Sequence, residues 1–377
     1  MIELVRIRPF EAGDTTRLLA IEKLCPHGNE QCAVGVDKKS SITARYALYD
    51  NWNVLVAEAD DEDDEAEAGA GEVGGWIGWT VKQSPTQHEP YVYLAEVMVH
   101  PDFRRKGVAT TLVNEAEQHA QETGSNHLYC YIYGPNDASK ALFEQLGYSS
   151  MRALKSCAVT AYKKAEIAED HYTIERVTIR DIPAVVRLIN EYYAGYAHFA
   201  PYTPEGFVSH LTGMPGYGLE RFWVARSQDG ADSGRVVACA GLWDWSVLAE
   251  MCYTHEPRLW KVMRALYGFL SLFGPMPRIP AEGEYFRVYF MTDHAFEPDH
   301  AAAMSALIST LNNVVLDANR DFFVANLDPD DPLVEVIKKF KPQIDTWHIY
   351  AKAIERDVKS ELPAFSPFYV DIRDCIL

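Results

Sequence analysis

A short apolar run that stops at a proline, followed at once by a basic turn with a glycine and then a helix, constrains this chain more than any other stretch. It occupies residues 94 to 113, Leu-Ala-Glu-Val-Met-Val-His-Pro-Asp-Phe-Arg-Arg-Lys-Gly-Val-Ala-Thr-Thr-Leu-Val. Leu94 to Val99 ends just before Pro101 and has the length and β-branched content of a buried strand. From Thr110 onward, Leu112, Val113, Ala116 and Ala120 recur at helical spacing until Gly124. Arg104 to Ala109 must therefore turn the chain and start that helix. The first amides of a helix have no partners and carry the positive end of its dipole. Gly107 lets backbone approach a ligand closely, and Arg104, Arg105 and Lys106 add charge at the same place. The stretch predicts a phosphate cradle between a strand and a helix.

Two other phosphate loops do not fit. A nucleotide P-loop places Gly-Lys before Ser or Thr, whereas here Lys106 precedes Gly107. A dinucleotide fingerprint needs three spaced glycines, and only Gly107 is present. Taken alone, the loop also fits an ordinary exposed basic turn. A second element follows. Leu128 to Tyr133 reads as an aromatic strand, and Gly134-Pro135-Asn136-Asp137-Ala138-Ser139 turns into a helix carrying Ala141, Leu142, Phe143 and Leu146, closed by Gly147-Tyr148.

Arg104-Arg105-Lys106-Gly107-Val108-Ala109 resembles the (Gln/Arg)-x-x-Gly-x-(Gly/Ala) signature of the GNAT family of acyl-CoA N-acyltransferases. The second element resembles that family's Asn-x-x-(Ser/Ala)-x-x-Leu-(Tyr/Phe)-x-x-Leu-Gly-(Phe/Tyr) pattern, in the right order and at the right distance. The resemblance implies an α/β fold with a mixed α+β sheet, and acetyl-CoA as cofactor. It places pantetheine contacts on the backbone of Val97, Met98 and Val99, and the pyrophosphate on the turn Arg104, Arg105, Lys106, Gly107, Val108, Ala109 and Thr110. Asn136 and Ser139 match the second cofactor element.

Composition sets the frame for this reading. The 377 residues exceed one typical domain and are 48% hydrophobic with no run of eighteen apolar residues, so a membrane span is not expected. The N-terminus alternates like a strand, and no signal peptide is read there. Seven cysteines without a Cys-x-x-Cys pair fit a reducing, cytoplasmic setting. Cys25, His27 and Cys32 are read as a mixed surface loop, so no metal site is expected. A net charge of -19 argues against nucleic acid and anionic membranes and favours a cationic partner such as an amine. Part of that charge is local: Glu58 to Glu67 carries eight carboxylates in ten positions and reads as a solvated insert between two strands.

In chain order, Ile2, Leu4 and Ile7 alternate in a first strand, and Asp14 starts a helix with Leu18, Leu19, Ile21 and Leu24. Cys25 to Val36 is expected to be a loop and Ser40 to Tyr49 a second helix. Asn53 to Ala59 and Gly74 to Val81 form a hairpin around the acidic insert. Residues 154 to 162 are expected to close the first sheet.

After a polar linker at Lys163 to His171 the pattern restarts, with Tyr172 to Asp181 paralleling Leu4 to Asp14. Two tandem GNAT folds are therefore expected, over residues 1–165 and 171–377, as a pseudo-dimeric monomer or a homodimer. Where the second copy would hold its loop, Asp293 to His300 supplies Glu297 and Asp299, which would repel a pyrophosphate. The second copy is read as degenerate, completing the acceptor pocket as a second subunit does in dimeric members. Asp293, His294 and His300 are assigned surface or capping roles, and Pro363 to Leu377 a packed tail.

The resemblance implies direct attack of a primary amine, from a small molecule or a protein, on the thioester. Glu96, on the fourth strand, is the candidate to accept the amine's proton. The family often places a tyrosine where this chain has Phe143, which cannot donate a proton. Tyr131, Tyr133 and Tyr148 are the substitutes on offer, and Tyr148 is taken with Glu96 as the catalytic pair. The alternative is a non-catalytic acyl-CoA-binding or protein-interaction module.

Overall fold

Both alternating segments that restart the pattern lead into a helix in a computed structural model of the chain, which describes residues 5–59, 72–83, 89–167, 171–228, 230–354, 362 and 365–374. The first half contains β1 (Val5–Pro9), α1 (Thr15–Lys23), β2 (His27–Asn29), β3 (Cys32–Asp37), β4 (Trp52–Ala59), β5 (Glu72–Gln83) and β6 (Pro90–Val99). It continues with α2 (Val108–Glu122), β7 (His127–Tyr133), α3 (Asp137–Gln145) and β8 (Ser149–Thr160). The second half contains β9 (Tyr172–Arg176), α4 (Ile182–Tyr192), α5 (Pro204–Gly213), β10 (Phe222–Ser227), β11 (Val236–Trp243), β12 (Glu250–His255) and α6 (Arg258–Leu270). It ends with β13 (Val288–Phe296), α7 (Ala301–Asp317), β14 (Phe322–Leu327), α8 (Leu333–Ile337) and β15 (Gln343–Ala353). The acidic residues 60–67 lie outside the described residues, between β4 and β5.

The correspondence between the two starts extends to their polar contacts. Arg8 holds Asp14 at 2.8 Å while Asp14 accepts from the amide of Glu11. In the second half Arg226 holds Asp181 at 2.5 Å while Asp181 accepts from the amide of Thr178. Asp14 ties its helix start to the edge strand β1, and Asp181 ties its own to β10, next to the edge strand β9, through charge-assisted bonds.

One twelve-stranded sheet runs through both halves in the order β1-β4-β5-β6-β7-β15-β8-β14-β13-β11-β10-β9. Read from either edge, the first five strands follow the same scheme, and the two halves exchange their last strands. β8 does not close the first half beside β7, as expected of residues 154 to 162. It pairs with β14 (Phe322↔Thr160 through Leu327↔Lys155) and with β15, while β15 pairs with β7 (Trp347↔Tyr133 through Ala353↔His127). In the exchange neither fifth strand is left with a bare row of N–H and C=O groups, because β15 covers β7 and β8 covers β14.

Helices α2 and α7 cover one sheet face. Val108, Leu112, Val113 and Ala116 pack on Val92 and Leu94, and Met304, Leu307 and Leu311 pack on Leu242, Met291 and Phe323. The other face carries α1 through Leu18 and Ile21, and α4 through Val185 and Ile189. A small sheet in the order β12-β3-β2 joins the halves on that face, with Met251 opposite Val36 and Tyr253 opposite Val34. The expected loop at Cys25 to Val36 is therefore largely a hairpin, because a strand from the second half completes its hydrogen bonding. The expected helix at Ser40 to Tyr49 is only a 3-10 turn at Tyr46–Leu48. Ile42, Arg45 and Tyr46 are buried, and Arg45 and Tyr46 are held by hydrogen bonds to Glu96 across the chain. Among the described residues no helix is long and apolar enough to cross a membrane.

Candidate active site

Strands β6 and β7 pair in parallel only at Val92↔Leu128, Tyr93↔Tyr129 and Leu94↔Cys130. Beyond Leu94 they part. On the other side β6 stays paired with β5, but with a bulge, because Gly78 opposes Glu96 and Trp79 opposes Leu94, leaving Ala95 as the extra residue. A bulge bends its strand and re-aims the side chains after it. A wedge results, with the free edge of Ala95 to Val99 on one side and Tyr131 to Tyr133, held by β15, on the other. Within the expected pantetheine strand, Val97 and Met98 follow the bulge. The Val99 carbonyl accepts from Arg104 Nε at 3.1 Å and from the Cys25 thiol at 3.2 Å.

The basic turn follows β6. Arg105 and Gly107 have φ of 63° and 88°, the left-handed region that Gly107 enters without strain. Gly107 is the N-cap of α2, and the first backbone bond from this end runs from Thr111 N to Gly107 O at 3.0 Å. Among the described residues no carbonyl accepts from the amides of Arg105, Gly107, Val108, Ala109 or Thr110. Arg105 and Lys106 are exposed. Arg104 is turned back instead: its guanidinium donates to the carbonyls of Val99 and Leu24, which ties the turn to the end of α1. The Val108 side chain anchors the helix start in the core.

Asn136 is the N-cap of α3, and its Oδ1 accepts from Ser139 N at 3.2 Å. Both residues thus sit at a second helix start, next to the end of β7.

Glu96 faces α1 and is 4% exposed. Three donors hold it: Lys38 Nζ at 2.6 Å, Tyr46 OH at 2.6 Å and Arg45 Nη1 at 3.2 Å. Gly78 makes room for that hydroxyl, since a Cβ there would lie 1.9 Å from Tyr46 Oη. Lys38 also lies 3.0 Å from Glu22, and its ammonium stacks 4.8 Å above the Trp76 ring. The two carboxylates titrate apart. Burial would raise Glu96, but the cations Lys38 and Arg45 overcome it and hold that carboxyl below the usual range. Burial dominates for Glu22, which is pushed up to about 7. Lys38, Arg45, Tyr46 and Glu22 were not singled out from the sequence. Glu22, Arg45 and Tyr46 lie on segments read as helices and Lys38 between the expected loop and helix, and only the fold brings them to Glu96.

Tyr148 lies elsewhere. It packs edge-on against Phe143, ring centroids 5.0 Å apart, in the core between the sheet and α2, on the face opposite Glu96. Burial and the nearby Glu117 carboxylate keep its phenol protonated far above the ordinary value. The structure brings Glu96, Val97, Met98, Val99 and the loop 104–110 to one wedge, and sets Tyr148 on the other side of the sheet.

The second half has a counterpart with different chemistry. β13 and β14 pair from Val288↔Phe322 to Met291↔Ala325, and a bulge follows opposite Cys239 to Gly241. There Asp293 accepts from Tyr217 OH at 2.9 Å above Gly241 and meets His210 Nε2 at 3.1 Å. His294 meets Asp331 at 3.0 Å, and Tyr369 of the tail packs on Tyr193. Asp293 and His294 are therefore buried pairs rather than surface residues, as burial of their strand on both faces requires. No group of three metal-ligating side chains occurs among the described residues. The loop before α7 carries Glu297, paired with Arg235, and Asp299, with no glycine.

A parted parallel strand pair beside an unpartnered helix start defines the GNAT class of fold. Residues 33–148 match the Acetyltransferase (GNAT) family. The chain is 24% identical over 309 residues to a protein named acetyl transferase GW6a from Oryza sativa subsp. japonica, spanning 78% of this chain and 70% of that one. The GCN5-related N-acetyltransferase from Sphaerobacter thermophilus superimposes with a TM-score of 0.60 at 14% identity, covering 94% of this chain and 97% of that chain. A tandem GNAT protein from the clavulanic acid biosynthesis pathway superimposes with a TM-score of 0.57 at 13% identity, covering 94% and 100% respectively. The fold is thus that of GNAT proteins across nearly the whole chain.

Proposed function

We propose that this chain is an acyl-CoA-dependent N-acyltransferase, using acetyl-CoA, whose residues 1–165 carry the cofactor site and whose residues 171–377 form a GNAT-like unit without the pyrophosphate loop. The observation that carries the reading is the set of amides of Arg105, Gly107, Val108, Ala109 and Thr110, from which no carbonyl accepts among the described residues, at the mouth of the β6–β7 wedge. Such amides suit a diphosphate, with Arg105 and Lys106 beside them. The free edge of Val97 and Met98 suits an extended pantetheine arm that adds as a strand.

In the reaction, the lone pair of a primary amine attacks the thioester carbonyl carbon, the C–S bond breaks, and the thiolate leaves with the electron pair. The amine must shed a proton to attack. Glu96 alone is a poor base, because three donors stabilise its ionised form. Glu22, with a carboxyl near neutrality and joined to Glu96 through Lys38, gives the cluster a proton-accepting member at physiological pH. A thiolate is a tolerable leaving group near neutral pH, so a tyrosine at the Phe143 position is not obligatory.

The test is calorimetric titration with acetyl-CoA, followed by thiol release over a panel of amines. We expect saturable binding, weakened at least tenfold in Arg105→Glu, and thiol release with some amine of the panel. Absence of binding contradicts the proposal. Binding without release across the panel supports the alternative, a non-catalytic acyl-CoA-binding module, which the locked Glu96 and Phe143 favour.

A further inference from the structure

A cavity of about 690 Å3 lies on the sheet face opposite α2 and α7, between the halves, within the size range of sites that hold a drug-sized molecule. It is closed on one side by α6 and by residues 277–280, and it reaches Tyr133, the last residue of β7 and one edge of the wedge. Its walls are aromatic: Tyr133, Trp260, Tyr267, Phe286, Phe340 and Trp347.

One carboxylate interrupts this lining. Asp345 of β15 has no hydrogen bond or ion pair from its side chain among the described residues, and burial pushes its carboxyl up. The cations on the lining do not neutralise it. Arg278 is taken by Asp321 and Glu284, and Lys341 is exposed. A half-buried carboxylate with no partner beside aromatic walls is favoured when a cation arrives with the ligand. Ring faces also attract an ammonium group, whereas a neutral acyl chain would leave Asp345 unpaired.

We infer that this cavity is the acceptor site and that it selects a primary amine with an aromatic or alkyl body, whose ammonium group is set against Asp345. The inference rests on the acyltransferase reading for the word acceptor, but amine binding can be measured without any cofactor. The full chain is titrated with 2-phenylethylamine and with its neutral isostere 2-phenylethanol, in the wild type, Asp345→Asn and Trp260→Ala, with tryptophan fluorescence and calorimetry as readouts.

The wild type is expected to bind the amine at least tenfold more tightly than the alcohol. Asp345→Asn should abolish that preference while leaving alcohol affinity unchanged, and Trp260→Ala should weaken both ligands severalfold. Equal affinity for the two ligands in the wild type, binding of neither, or a preference that survives Asp345→Asn overturns the assignment. If Asp345→Asn does not fold, the wild-type comparison still decides. A chain that holds the amine yet releases no thiol from acetyl-CoA contradicts the proposed function and leaves the cavity assignment standing.

Discussion

Arg45 donates from Nη2 to the backbone carbonyl of Asp374, 2.6 Å away, joining residues 329 positions apart in the chain. Through Nη1 the same guanidinium holds Glu96. The Asp374 carboxylate in turn accepts from Tyr49 at 2.6 Å, Tyr129 at 2.5 Å and Lys82 at 2.7 Å. The tail of the second half is thereby built into the charge cluster of the first.

Replacing Asp374 should therefore disturb both stability and the site. Asp374→Asn leaves half-buried Lys82 with Asp371 alone and sets a neutral amide against two phenols. Removing one partner of a buried charged network costs about 3 kcal/mol or more. We expect that loss in urea unfolding, together with a lower acylation rate as Arg45 loosens. Asp330→Asn, at an exposed carboxylate paired with Arg152, should leave the urea midpoint nearly unchanged.

Acidification should destabilise the protein between pH 6.5 and 4. His127 is 1% exposed and burial lowers it to about 4; it stacks on His198, which burial holds well below the ordinary value, with their Nε2 atoms 3.1 Å apart. In that pH window the unfolded chain binds protons that the folded chain excludes. Stability is therefore full above about pH 7 and falls as pH drops, by about 3 kcal/mol for His127 alone. Glu22 has the opposite sign, since its raised carboxyl favours the folded state as pH falls from 7 toward 4.5. Urea unfolding at pH 7.5 and 5.0 in the wild type and His127→Gln separates the two. A smaller pH effect in the variant is expected, and an identical one contradicts the assignment.

Glu22 should set the lower limb of the pH–rate profile. With its carboxyl near 7 the wild-type rate should rise through neutrality, and Glu22→Gln should lower the rate and flatten that limb while leaving acetyl-CoA affinity within about twofold. A profile unchanged in Glu22→Gln removes Glu22 from the proton path.

The strand exchange predicts that residues 1–165 alone are not a stable monomer. Without β15, strand β7 loses its partner from Trp347 to Ala353, and β8 has neither β14 nor β15. An exposed strand edge of this kind invites self-association. Size-exclusion chromatography of that fragment should show dimers or aggregates, and a folded monomer would contradict the exchange.

The loop and the strand before it were legible in the sequence because their chemistry is local. Proline, glycine and three cations stand next to one another, and the strand and helix periods flank them. The strand and helix start at Tyr172 to Asp181 were legible because the capping pattern of Glu11 to Asp14 recurs at Thr178 to Asp181. What escaped was everything set by pairing across the chain. Nothing local to Ser149–Thr160 states which fifth strand it will join, and Lys38 and Arg45 look like surface cations until Glu96 lies beneath them. Nothing local to Asp345 marks it, and only the exchange of β15 sets it on the cavity wall. The Ser40 to Tyr49 expectation failed for the same reason, as buried ion pairs overrode a weak helical pattern.

Hydrogen exchange with and without coenzyme A tests the central claim most directly. If the amides between β6 and α2 grip the diphosphate, peptides spanning Arg105 to Thr110 should exchange at least tenfold more slowly with ligand bound, while those spanning Glu297 to Ala301 stay unchanged. Ligand binding that leaves 105–110 unprotected, or that protects the loop before α7 instead, would contradict the account.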